Sequence, residues 1–305
     1  MTHKKCNKPL DDIYELLQVG SALNQDLSYT RDDTGDNISD LNPYFGELTG
    51  YYWLWKNVSD VEIVGICHYR RYFGIDGKIL TSHDCETLLK DCDIVCSNIV
   101  KTEYQNYKIE FSKAHNIKDL LLVRDAISNL YTEDLRAFDE ALEADNHTYG
   151  NLCIMRKEVF DSYCEWLFNN FMWMIDKVDF TGYDSYHKRL FGFLSENLIR
   201  VFAKSRNLKV KPGKVYVTEE KVETKELKIA VFQLMKDGKL AEAKEMFISY
   251  LRYRPDVVLP LSDISGELNM LASIINFIEN NDSSEIYKHM DSLGELIDYY
   301  KSLKK

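Results

Sequence analysis

Apolar positions along this chain switch repeatedly between a helical and a strand spacing. Leu48, Tyr51, Tyr52 and Trp55 stand three and four apart, as on one face of a helix. Pro43 suits its first turn, Glu47 favours its positive end, and Lys56-Asn57 close it. Val61, Ile63, Val64 and Ile66 form a short β-branched run, which predicts a strand buried on both faces. A helix is expected over about 83–91 with Leu88-Leu89 inward, then a strand over 92–97 in which alternation sets Cys92 and Cys96 on one face. Leu120, Leu121, Val123 and Ile127 mark a helix over about 117–130, and a second covers about 132–144. Tyr149 to Met155 reads as a strand with Asn151 at its head, and an aromatic helix follows over 157–178. Leu190, Phe193, Leu194, Leu198, Val201 and Phe202 predict one helix over about 189–204, and LKVKPGKVYVT at 208–218 alternates as a final strand. Strands interleaved with helices in this order imply an α/β fold.

The pattern changes at about 219–226, where EEKVETKE reads as a charged hinge. Beyond it every periodic stretch is helical. Val231, Leu234, Met235, Gly238, Leu240, Ala243 and Phe247, ending at Arg254-Pro255, resemble one tetratricopeptide-type hairpin. One such repeat cannot bury its own face, so helices at about 264–280 and 284–303 are expected to complete a small bundle. The expected division is 1–220 and 226–305, with the helical part packing on the first domain or, second, serving a homodimer.

Composition narrows the function. The 305 residues suffice for a large domain and a smaller one, and the net charge of −11 argues against a nucleic-acid partner. No apolar run approaches the ~20 residues that span a bilayer, and no secretory signal is legible. The expectation is a cytoplasmic protein. Seven scattered cysteines, without His or Cys neighbours at metal-site spacing, read as reduced thiols.

Chemistry concentrates between Asp32 and Phe73. Residues 25–42 form a long polar loop, in which Asp32, Asp33, Asp36 and Asp40 suit either a hard cation or plain solvation. His68, Arg70 and Arg71 directly follow a strand, and ligands in open α/β sheets sit beyond the carboxyl ends of strands. Guanidinium groups there suit a phosphate, since they give bidentate charge-assisted bonds; a solvated strand end is the plainer alternative. Asp91-Cys92-Asp93 has the spelling of a metal-binding Asp-x-Asp, but it precedes Ile94-Val95 and so falls at the wrong end of its strand. His115 stands before a helix, where it caps or faces a site. Near the 189–204 helix, Asp184, His187, Arg189 and Glu196 are polar candidates. Glu196 lies among apolar neighbours, with Arg189 two turns earlier as a partner; structural pairing and general-base catalysis both fit it, and Asp184 is the second candidate base.

The block DDTGDNIS, ELTGYYWLWKN and VGICHYRRYF, continued by DCDIVCSN at 91–98, YGNLCIMRKEVFDSYCEWLF at 149–168 and RLFGFLSENLIRVF at 189–202, resembles a bacterial glycosyltransferase family of capsular and exopolysaccharide gene clusters, long known as a domain of unknown function. The resemblance covers about residues 1–218. It implies a GT-A-like domain that moves a sugar, in some members galactose as pyranose or furanose, from a nucleotide-diphosphate donor such as a UDP-sugar to a lipid-linked or other glycan acceptor. A lipid-linked acceptor further implies a contact with the inner face of the plasma membrane through a local patch or a partner. On that footing Asp36, Asn37, His68, Arg70, Arg71 and Asn151 contact nucleotide, sugar or acceptor, and Glu196 or Asp184 is the base. Mn²⁺ or Mg²⁺ commonly accompanies such donors; here His68-Tyr69-Arg70-Arg71 holds the slot after a central strand, so a cationic clamp replaces the metal or stands beside it. In the family, Thr2-His3-Lys4 follows an apolar strand, so truncation before Met1 is expected. The rival reading is a catalytically degenerate scaffold in the same pathway. A nucleotide hydrolase lacks support, because no Gly-rich phosphate loop occurs.

Overall fold

The computed structural model describes residues 1–258, 262–281 and 290–303. It divides into two compact units, Met1–Tyr216 and Val217–Lys305, a few residues before the charged hinge.

The first unit is built on a four-stranded sheet in the order Val210–Pro212, Ile94–Cys96, Cys153–Arg156, Ile63–Ile66. The Cys153–Arg156 strand runs antiparallel to both neighbours, with Ile66 and Cys96 each opposite Cys153. The period of two sorts its side chains. Val64, Ile66, Ile94, Cys96, Cys153 and Met155 enter a large core under the helices, while Val95, Leu152 and Ile154 enter a smaller one with Phe73, Leu80 and Leu89. Helices Leu48–Asn57, Ile117–Leu130, Lys157–Met174 and Leu198–Ser205 fill the large core with rings and branched chains; Phe45 stacks on Phe191 at 4.4 Å.

Four expectations change. The Ile63–Ile66 strand ends the sheet and exposes Gly65, because helices cover only its Val64/Ile66 face. Cys92 and Cys96 fall in different cores: the strand starts at Ile94, and the Cys92 thiol donates to Leu88 O in the preceding turn. The 208–218 stretch is two strands, Val210–Pro212 and Val215–Val217, the second joining a three-stranded sheet with Arg71–Ile75 and Lys78–Ile79. Gly213 makes the crossover, and a Cβ there would lie 2.7 Å from Phe73 and 2.8 Å from Val95. Finally, the 189–204 helix is broken into Leu190–Ser195 and Leu198–Ser205 around Glu196-Asn197.

In the second unit, helices Val222–Lys236, Leu240–Tyr253, Pro255–Val258, Glu267–Asn281 and Leu293–Leu303 surround Leu227, Val231, Met235, Ala243, Leu271 and Ile275. Gly238, at φ 74°, ends the first of them: its N–H bonds Met235 O, and Lys239 N–H bonds Leu234 O, the left-handed closure that glycine allows. Buried Lys228 is held by Glu220, Asp263 and Glu267 at 2.5, 2.9 and 3.2 Å. Of the helix expected over 284–303, residues 284–289 lie outside the described residues.

Candidate active site

Sheet order decides what meets at the carboxyl ends of Ile63–Ile66 and Ile94–Cys96. The strand between them is antiparallel, so its leading residues, Gly150 and Asn151, arrive at that same end. The chain leaving Ile66 turns at once. His68 and Arg71 exchange backbone hydrogen bonds of 3.1 and 2.9 Å, closing a two-residue turn over Tyr69-Arg70. Residues paired across such a bridge project their side chains to the same side, so His68 and Arg71 stand together. Gly150, at φ 75°, lets the next strand enter beneath them; a Cβ there would lie 3.8 Å from Arg71 Nη1.

Around this turn the structure assembles Glu47, Asn151, Arg189 and Glu196. Asn151 Nδ2 donates to Glu47 Oε1 at 2.7 Å and to Gly192 O at 2.9 Å, while its Oδ1 accepts from Ser195 Oγ at 2.8 Å. Arg189 Nη2 reaches Glu47 Oε2 at 3.3 Å. The helix break positions Glu196: its N–H bonds Phe193 O, its C=O accepts from Thr148 Oγ1, and its carboxyl takes the Gly150 N–H.

The electrostatics divide the two carboxyls. Burial pushes Glu196 up to about 8, and Glu47's charge adds to the effect, with Arg71, the Gly150 N–H and Arg189 opposing it. Burial would raise Glu47 too, but His68, Arg189 and the Asn151 amide outweigh it and hold that carboxyl below the usual range. Burial lowers the His68 imidazole to about 4; Glu47 opposes that shift, and Arg71 adds to it. At neutral pH the site therefore holds a glutamate, a neutral histidine, a largely protonated Glu196 and two guanidinium groups. Two buried nitrogens in it have no hydrogen-bond partner among the described residues, His68 Nε2 and Arg71 Nε. Buried polar nitrogens are nearly always paired in folded proteins, so two orphans on residues paired across one turn mark a spot shaped for something else.

The chain belongs to the DUF4422 family. The model of this domain of unknown function matches residues 1–207, about the span of the first unit. In structure the chain is similar to the apo form of WbbM, a bifunctional glycosyltransferase, at 27% identity and a TM-score of 0.67 over 72% of this chain. The chain spans 44% of that protein's length. No curated protein sequence matches it significantly. The fold is thus GT-A-like α/β, accompanied by an all-helical unit.

In this DUF4422 chain the residues singled out from sequence separate. His68, Arg71, Asn151 and Glu196 converge. Arg70 is buried at the corner of the turn, away from the bridge that pairs His68 with Arg71. Asp36 is bound to the far end of the Leu48–Asn57 helix, through Tyr52 OH at 3.2 Å and a reciprocal pair with Asn57 at 3.1 and 2.8 Å. Among the described residues, Asn37 bonds its own loop alone, at Gly35 and Ser39. Ten helical residues at 1.5 Å each put Asn57, and the Asp36 backbone bonded to it, about 15 Å from Glu47 along that helix. Asp184 is exposed and accepts from the His187 ring and backbone, each at 2.8 Å. Arg189 pairs with Glu47 and not, as its spacing suggested, with Glu196, because the break between them removes the shared helical face.

Candidate metal ligands do not gather here. The Asp93 carboxylate accepts Lys209 N–H at 2.7 Å, at the entry end of its strand, opposite the cluster. Among the described residues no three His, Cys, Asp or Glu side chains share a metal-holding geometry. Nor is any described helix long and apolar enough to cross a membrane.

Glu47 is the functional candidate that sequence reading missed; it looked like a helix-dipole carboxylate. The available signal was Gly46 before it. That glycine takes φ 57°, and a Cβ there would come within 3.3 Å of Arg189.

Proposed function

We propose that this chain is a glycosyltransferase that takes a sugar from a nucleoside-diphosphate donor, a UDP-sugar first among them, to a glycan acceptor, lipid-linked in the synthesis of a surface polysaccharide. The observation that carries this reading is the pair of orphaned nitrogens on His68 and Arg71, beside the half-buried Glu196, whose carboxyl is pushed up to about 8, at the end of the sheet where α/β folds bind ligands. Arg71 offers charge and His68 a neutral N–H to the oxygens of the leaving diphosphate. The acceptor oxygen bonds the anomeric carbon as the bond from that carbon to the diphosphate oxygen breaks. The electron pair leaves with the diphosphate, and the hydroxyl proton passes to the ionised fraction of Glu196, which grows as pH rises toward 8. Asp184, bound to His187 and exposed, is the second candidate for that proton. Asn151 and Glu47, each held by two partners or more, present a fixed polar wall to the donor sugar.

The test is thermal unfolding with a panel of nucleoside diphosphates, each with Mn²⁺ and with EDTA. A ligand that binds only the native state raises the midpoint. UDP is expected to do so in EDTA, and Arg71→Ala to remove the shift. A shift seen only with Mn²⁺ transfers the diphosphate from the clamp to a metal. No shift with any nucleotide overturns the transferase reading and favours a scaffold.

A further inference from the structure

A polar cavity lies in the first unit, outside the cluster just described. It has a volume of about 220 Å³ and is lined by residues that include His115, Asn116, Asp119, Tyr183, His187 and Leu190. That is below the ~300–1,000 Å³ of pockets that take drug-sized ligands, so it suits one small ring and not a nucleotide.

Its lining has the chemistry of a hydroxyl-rich ring. Asp119 is 5% exposed, and its Oδ2 accepts the Tyr183 hydroxyl, while its Oδ1 has no partner among the described residues. The His115 ring likewise makes no hydrogen bond among the described residues. Burial lowers its pKa to about 4, with His187 adding to the effect, so it is a neutral ring offering one donor and one acceptor. His187 is fixed, one ring nitrogen against Asp184 at 2.8 Å and the other against Ala114 O at 3.1 Å. Behind these groups stands an aromatic wall: His115 stacks on Phe193 at 4.4 Å, and Tyr186 packs on Phe193 at 4.9 Å. A carboxylate oxygen and an imidazole that line the cavity, neither with a hydrogen-bond partner among the described residues, beside ring faces can satisfy a sugar's hydroxyls and cover its C–H surface.

The cavity is linked to the transferase cluster by a short path. The Arg189 guanidinium lies 6.0 Å from the Phe193 ring and pairs with Glu47. Leu190 lines the cavity at one end of the Leu190–Ser195 helix, and Glu196 follows the other end. Six helical residues span about 9 Å, too far for one sugar to fill the cavity and offer its hydroxyl to Glu196.

We infer that this cavity is the subsite for a pyranose ring of the acceptor that does not itself react, so that the acceptor is an oligosaccharide recognised beyond the sugar that carries the reacting hydroxyl. The inference rests on the transferase reading for its role, but binding can be tested without nucleotide or turnover. Saturation-transfer NMR on the full chain would use methyl α- and β-glycosides of galactose, glucose, mannose and rhamnose as probes, with UDP affinity measured in parallel. At least one glycoside is expected to bind and to compete with no nucleotide. Asp119→Asn and His115→Phe are each expected to weaken it by about tenfold or more, with UDP affinity unchanged within about twofold. His115→Phe keeps the stack on Phe193, so it serves if Asp119→Asn does not fold. Failure of every glycoside to bind, or binding unmoved by both substitutions, overturns the subsite. Glycoside binding without any UDP binding would leave the subsite standing and sink the donor reading instead.

Discussion

Two regions of the first unit are equally rich in polar side chains and use them in opposite ways. In the 18–49 loop system, Asp32 is wholly buried, and its two oxygens accept four hydrogen bonds: Gly20 N–H and Thr49 hydroxyl on Oδ2, at 2.9 and 2.6 Å, and Ser21 N–H and Ser39 hydroxyl on Oδ1, at 2.9 and 2.5 Å. Both oxygens of that carboxylate are fully engaged by the protein itself. At the sheet end, His68 and Arg71 are just as ordered by their backbone bridge, yet each keeps a buried nitrogen with no partner. Density of acidic and amide residues is common to both regions. Hydrogen-bond satisfaction is what separates a structural knot from a site, because folding favours the first and only a ligand completes the second.

That contrast can be broken by substitution. Asp32→Ala is expected to have the largest effect and to act on stability, leaving two backbone N–H groups and two hydroxyls without their acceptor, at about 3–5 kcal/mol in urea unfolding. A loss under about 1 kcal/mol would mean the knot is not what orders the loop.

Glu196→Gln comes next and acts on rate, lowering transfer by about 10²–10⁴-fold if Glu196 takes the acceptor proton. In the native protein transfer should climb with pH up to about 8, where Glu196 ionises, and the variant should lack that limb. Stability moves the other way. The folded value, about 8, lies above the ordinary 4.5, so the folded state holds this proton more tightly. Its contribution is full below pH 4.5 and is lost as pH rises through 8. Unfolding midpoints of the native chain should therefore fall across that window more steeply than those of Glu196→Gln. Parallel slopes would contradict the assignment.

Arg71→Ala should cost transfer about 10²–10³-fold, as the loss of one preorganised donor does, with folding stability changed by less than about 1 kcal/mol. A variant that unfolds like Asp32→Ala would put Arg71 with the structural knot. The smallest effect belongs to Asp36→Ala, whose carboxylate meets only Tyr52 at an exposed helix end. Its UDP affinity is expected to stay within about twofold of native, since a single exposed hydrogen bond contributes little. A tenfold loss would bring the Asp36 loop into the donor site.

Much of the scaffold was legible in local periodicity. The 48–57 helix follows from Leu48, Tyr51 and Trp55, and the strand before His68 from Ile63, Val64 and Ile66. A rule about strand ends then made His68 and Arg71 candidates. The misreadings share one cause. Glu47 resembled a helix-dipole carboxylate and the 189–204 stretch an unbroken helix, because helical spacing is blind to a partner a hundred residues away. Asn151 bonds Glu47 across 104 positions, and Thr148 bonds the Glu196 carbonyl across 48.

The amino-acid order by itself determined which residues form strands and helices and which side of each is apolar, since those depend on neighbours within a turn or two. The tertiary structure alone decided that an antiparallel strand would slot between Ile63–Ile66 and Ile94–Cys96 and carry Gly150 and Asn151 to the end where the His68–Arg71 turn stands. Register between distant strands is set by packing the whole core and by pairing every buried polar group but a few, and no local pattern records which few are left over.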